Sequence, residues 1–134
     1  MAAYMGGPDR AILVVEDEPE LRSELVELLQ LRGFAAYGTG DLASTRVWLE
    51  GSRTRFTVLS DLLLPDGSGS ELMRYLQAGA EPNLALERLV LMTGHSDLPE
   101  ELEQDLSDRA VQLLLKPVPF PQLMAALHQP PPEA

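Results

Sequence analysis

Five side chains of the types that bind cations and phosphoryl groups stand where short apolar runs end. Glu16 and Asp17 follow the run at 11–15, Asp61 follows 56–60, Thr93 follows 89–92, and Lys116 follows 111–115. Three carboxylates brought together repel one another and raise at least one pKa, unless a hard divalent cation binds between them through oxygen. Magnesium suits such a set, because it prefers a near-octahedral oxygen shell and retains waters. A lysine ammonium is a compact charge that can pair with a phosphoryl oxygen, and a threonine hydroxyl can donate to another. A single acid after a strand is most often a solvated loop residue. Here four run ends carry such groups.

These positions depend on alternating strands and helices. Residues 11–15 form an apolar run without alternation, as expected of a strand covered on both faces of a parallel sheet. From Pro19 to Arg32, Leu21, Leu25, Leu28 and Leu29 recur at helical spacing, with Pro19 suited to the first turn and Gly33 to the stop. A weaker strand over 34–37 precedes a helix over 41–49, whose Leu42, Val47, Trp48 and Leu49 supply its expected stripe. After the third strand, residues 65–69 form a dense turn cluster, and a helix follows with Leu72, Met73, Tyr75 and Leu76. Residues 89–92 form the fourth strand. A helix over 97–107 holds Leu98, Leu102 and Leu106 four residues apart among Glu100, Glu101, Glu103 and Asp105. The fifth strand covers 111–115, and a short helix over 122–128 closes the series. Five such alternations predict a parallel sheet with helices on both faces and a site at the carboxyl ends of its strands.

Length and composition bound the function. A chain of 134 residues with 45% hydrophobic and 23% charged residues fits one globular domain, expected over 9–128. Residues 1–8 read as a disordered leader or an expression remnant, and 129–134 as a proline-rich tail. Without cysteine there is no disulfide framework or thiolate metal site, which agrees with a cytoplasmic location. The 21 acidic residues against 10 basic ones give a net charge of -11, which repels nucleic-acid phosphates and anionic membranes. No apolar run is long enough to span a bilayer.

Four stretches carry a resemblance to a known family: Val14-Val15-Glu16-Asp17-Glu18, Ser60-Asp61-Leu62-Leu63-Leu64-Pro65-Asp66-Gly67, Met92-Thr93-Gly94-His95 and Leu115-Lys116-Pro117. In this order and on these strand ends, the chain resembles the response-regulator receiver family over nearly its whole length. The resemblance implies an α/β, doubly wound, five-stranded parallel sheet of flavodoxin-like order 2-1-3-4-5, with helices on both faces. It implies a signalling phosphoacceptor rather than an enzyme acting on an external substrate. Asp61 would attack a phosphohistidine on a histidine kinase or histidine phosphotransfer protein and form an acyl phosphate. Asp17, Asp61 and the backbone carbonyl of Leu63 would ligate Mg2+, with Glu16 acting through water. Lys116 and Thr93 would contact the phosphoryl group, and the Lys116–Pro117 peptide bond would be cis. An effector protein or a second copy would meet the face running from the fourth strand to the last helix.

Departures from the family pattern define the rivals. The family usually has Tyr or Phe three residues before the lysine, where this chain has Leu113, so the output surface has no ring hydroxyl to expose. That favours a rival reading as a phosphorylation-insensitive interaction module. An aspartyl-phosphate hydrolase would need a second acid two residues after its nucleophile, and Leu63 stands there. Leu63 and His95 flank the expected path of attacking water. Apolar Leu63 should slow self-dephosphorylation, while His95 either orients water or sits exposed.

Overall fold

The computed structural model describes residues 11–51, 56–68, 71, 74, 86–94, 98–108 and 111–128. The expected leader, the proline-rich tail, the helical stripe residues Leu72, Met73, Tyr75 and Leu76, and His95 lie outside the described residues.

Seven strands and four helices are described: β1 Ala11–Val15, α1 Pro19–Leu31, β2 Ala35–Thr39, α2 Leu42–Glu50, β3 Phe56–Asp61, β4 Leu63–Leu64, β5 Gly67–Ser68, β6 Leu86–Thr93, α3 Glu100–Asp108, β7 Gln112–Leu115 and α4 Phe120–His128. Five strands pair in parallel in the order β2-β1-β3-β6-β7, the expected doubly wound order. The strands β4 and β5 form a separate antiparallel hairpin within the expected turn cluster. Each is two residues long, too short to leave a periodic signal.

Every residue of β1 and β3 is buried, because helices cover both faces of the sheet. On one face Leu13, Val15, Val58 and Leu91 pack with Leu42 and Leu49 of α2 and Leu106 of α3. Leu98 and Leu102 add to this cluster, as their four-residue spacing predicts. On the other face Ile12, Val14, Leu59 and Val90 meet Leu29 of α1 and Leu123, Ala126 and Leu127 of α4. Burial of one such leucine contributes about 1.5–3 kcal/mol, so these two layers hold the strand tips in register.

Local chemistry sets the helix ends. Pro19 opens α1 with Glu20 in its first turn, and Gly33 at φ 93° follows its end, in the left-handed region that glycine adopts without steric cost. Asp41 caps α2, its Oδ1 accepting from the Ser44 N–H at 2.7 Å. Two expected stripe residues face solvent instead. Leu28 is exposed, and Val47 is 72% exposed, because the buried face of α2 runs through Leu42, Thr45 and Leu49. Thr45 satisfies its hydroxyl inside through the Asp41 carbonyl and the Thr39 hydroxyl, both at 2.7 Å. No helix among the described residues is long and apolar enough to cross a membrane.

Candidate functional site

The registers of adjacent strands stack the candidate side chains at one sheet edge. Val15 lies beside Ser60, Asp61 beside Met92, and Thr93 beside Leu115. Each next residue therefore emerges near its neighbour's polar group at the carboxyl edge. Backbone hydrogen bonds extend this alignment past the ladders. The Glu16 N–H donates to the Thr39 carbonyl at 3.0 Å, Leu62 N–H to Met92 at 2.7 Å, and Lys116 N–H to Thr93 at 2.7 Å.

Glu16, Asp17 and Asp61 each bring a carboxylate oxygen within 4.8 Å of the others. Glu16 is 2% and Asp61 5% exposed, whereas Asp17 faces solvent. The Lys116 ammonium reaches between the buried pair, 2.6 Å from Asp61 Oδ1 and 3.2 Å from Glu16 Oε1. Its peptide bond to Pro117 is cis. Glu16 Oε2 also accepts the Glu18 backbone N–H at 3.2 Å.

The charges in this pocket are set by burial and pairing. Burial, then the hydrogen bond and charge of Glu16, push the Asp61 carboxyl up to about 7 against the opposing pull of Lys116. Burial raises Glu16 as well, but hydrogen bonds from Asp61 and the Glu18 backbone, with Lys116, hold it below its ordinary value. Burial and the neighbouring acid thus favour the neutral form of Asp61, while Glu16 is held in its charged form. Burial lowers the Lys116 ammonium, but contact with Asp61 and then Glu16 outweighs it and raises the group.

Thr93 is buried at the end of β6, and the half-buried Leu113 packs into the core layer below α2 and α3. Leu63 is 62% exposed on the hairpin two residues beyond Asp61. Sequence reasoning missed two further residues. Arg22 of α1 donates from Nη1 to the Glu16 carbonyl at 2.8 Å. Asp66 accepts two backbone N–H groups at the start of α2. The helical period of α1 could have placed Arg22 on the sheet-facing side, but nothing in the sequence spacing marks the partners of Asp66.

The donor set consists of carboxylate oxygens with no nitrogen or sulfur, which fits a hard cation of the magnesium type. A sequence model described as the response regulator receiver domain matches residues 12–128. The chain is similar to the acid tolerance regulatory protein ActR of Rhizobium meliloti (strain 1021), 26% identical over 127 residues. That alignment covers 95% of this chain and 62% of ActR, so the chain spans less than two thirds of that relative. Among solved structures, two receiver domains are each 26% identical to this chain. One is a response regulator receiver domain (CheY-like) from Methylobacillus flagellatus, with TM-score 0.71 and coverage of 88% of this chain and 95% of that one. The other is the signal receiver domain of a signal transduction histidine kinase from Syntrophus aciditrophicus, with TM-score 0.72 and coverage of 87% and 86%.

Proposed function

Because the chain belongs to the response regulator receiver domain family, we propose that Asp61 accepts a phosphoryl group from a phosphohistidine on a histidine kinase or histidine phosphotransfer protein. The observation that carries this reading is the meeting of Glu16, Asp17, Asp61 and Lys116 at the carboxyl edge of the sheet. A carboxylate oxygen of Asp61 forms the new bond to phosphorus as the bond to the donor imidazole breaks, leaving an acyl phosphate. Asp17, Asp61 and the Leu63 carbonyl would hold Mg2+, with Glu16 acting through water. Bound there, the ion offsets negative charge on the transferring group.

The chain's own residues position the reaction. The Lys116 ammonium neutralises the acid pair at rest and turns to a phosphoryl oxygen as charge builds there. The Thr93 hydroxyl donates to another. Leu63 sets an apolar side chain over the approach of water, so the acyl phosphate is long-lived. An effector protein or a second copy would read the change along β6, Leu113 and α4, and the acidic balance argues against nucleic acid as a direct partner.

Acetyl phosphate and Mg2+ added to labelled protein should shift the amides of Thr93, Leu113 and α4, with slow return once the donor is removed. Phosphorylation that leaves these amides unmoved would favour the phosphorylation-insensitive module instead. Return within seconds would contradict the role given to Leu63.

A further inference from the structure

Asp66 lies in the turn between β4 and β5 and is exposed, yet both of its oxygens are engaged far along the chain. Oδ1 accepts the Leu42 N–H at 2.7 Å and Oδ2 accepts the Ala43 N–H at 3.0 Å, across 24 and 23 residues. These two bonds hold its carboxyl below the ordinary aspartate value. The helix α2 already has a local cap in Asp41, which takes the Ser44 N–H. Asp66 therefore joins two segments rather than merely completing a helix end.

The neighbouring packing supports the same link. A Cβ on Gly67 would sit 2.6 Å from Leu42 Cδ2 and 3.0 Å from Glu71 Oε1, so the hairpin lies directly against the first residue of α2. At its other end the segment is pinned by the Leu62 N–H on the Met92 carbonyl. Leu63 and Leu64 lie between these two anchors. The start of α2 also follows Thr39, whose carbonyl takes the Glu16 N–H, so the clamp reaches both acid-bearing strand ends.

We propose that Asp66 is a positioning residue that clamps the segment after Asp61 onto the start of α2 and thereby fixes the Leu63 carbonyl for metal binding. This rests on the receiver function proposed above. Rigid support behind a ligand commonly governs metal affinity without contact with the metal.

The test compares Asp66→Ala, Asp66→Asn and Asp41→Ala in the full chain, with magnesium affinity measured by calorimetry and backbone amide exchange measured without metal. Asp66→Ala should bind Mg2+ about tenfold more weakly and exchange faster at Leu64 and Gly67. Asp66→Asn, which keeps one acceptor, should fall between it and wild type. Asp41→Ala removes the local cap and should lower the melting temperature while leaving magnesium affinity unchanged. Equal affinity in Asp66→Ala and wild type, or an equal loss in Asp41→Ala, overturns the clamp alone. A wild type that binds no magnesium overturns the proposed function together with the clamp.

Discussion

Asp61→Asn is expected to make the metal-free protein more stable than wild type at neutral pH, even though it removes the proposed phosphoacceptor. Asp61 is buried beside Glu16, and its folded pKa rises from 3.8 to about 7. The folded state therefore holds a proton that the unfolded chain releases as pH rises from about 4 to about 7. Wild-type stability falls across that window and levels off above it. An amide of the same shape carries no charge and escapes the loss. The variant should match wild type near pH 4 and exceed it by about 4 kcal/mol at pH 8, the roughly three-unit rise taken at about 1.4 kcal/mol per unit, worth roughly ten degrees or more in melting temperature for a domain of this size. Thermal melts across this range in a chelating buffer would measure the gap. A gap that is flat with pH, or that favours wild type at pH 8, contradicts the assignment of Asp61 as the strained member of the pair.

Lys116→Met should produce the opposite change in stability and a larger loss of chemistry. The ammonium contacts both buried acids, and its own pKa is raised by them. Its contribution is therefore complete below the ordinary lysine value near about 10.4, and is lost only as pH rises through the higher folded value. Across neutral pH the lysine stays charged, and the cost of its removal follows the acids it leaves behind. Below about pH 5 the pair can hold protons and the variant loses little; above about pH 7 two carboxylates face each other without a cation. With its side chain 28% exposed, solvent screens part of this, so a loss of about 1–2 kcal/mol at pH 8 is expected. Magnesium should restore part of the stability. The rate of phosphorylation by acetyl phosphate should fall by about a hundredfold to a thousandfold, as when a preorganised charge or donor is removed from a reacting oxyanion. A variant phosphorylated at the wild-type rate would remove Lys116 from the mechanism.

The strands carrying the site could be read from the sequence because burial on both faces of a parallel sheet writes itself as unbroken apolar runs. The runs ending at Val15 and Met92, and the acids and hydroxyl after them, are visible for that reason. Their meeting depends on the stagger between strands, such as Asp61 beside Met92 and Thr93 beside Leu115, which no local pattern encodes. The resemblance to a family supplied that order.

Side-chain direction was less legible. Leu28 and Val47 fit a helical stripe by spacing, but α1 and α2 turn neighbouring positions inward, and Thr45 takes an inner place because Thr39 and Asp41 satisfy its hydroxyl. Glu16 is buried and meets Lys116 while Asp17 faces solvent, a difference in direction that two adjacent acids do not reveal by type or spacing. Asp66 looked like an ordinary turn aspartate. Its partners lie more than twenty residues earlier, and only the folded chain brings them to it.

The intact mass of wild-type protein incubated with acetyl phosphate and Mg2+, followed by fragmentation to locate the modification, decides whether Asp61 accepts a phosphoryl group. One added phosphoryl group, carried by Asp61 and lost when magnesium is chelated before the donor is added, is the predicted result. An unchanged mass, or a stable group located on a residue other than Asp61, would contradict it.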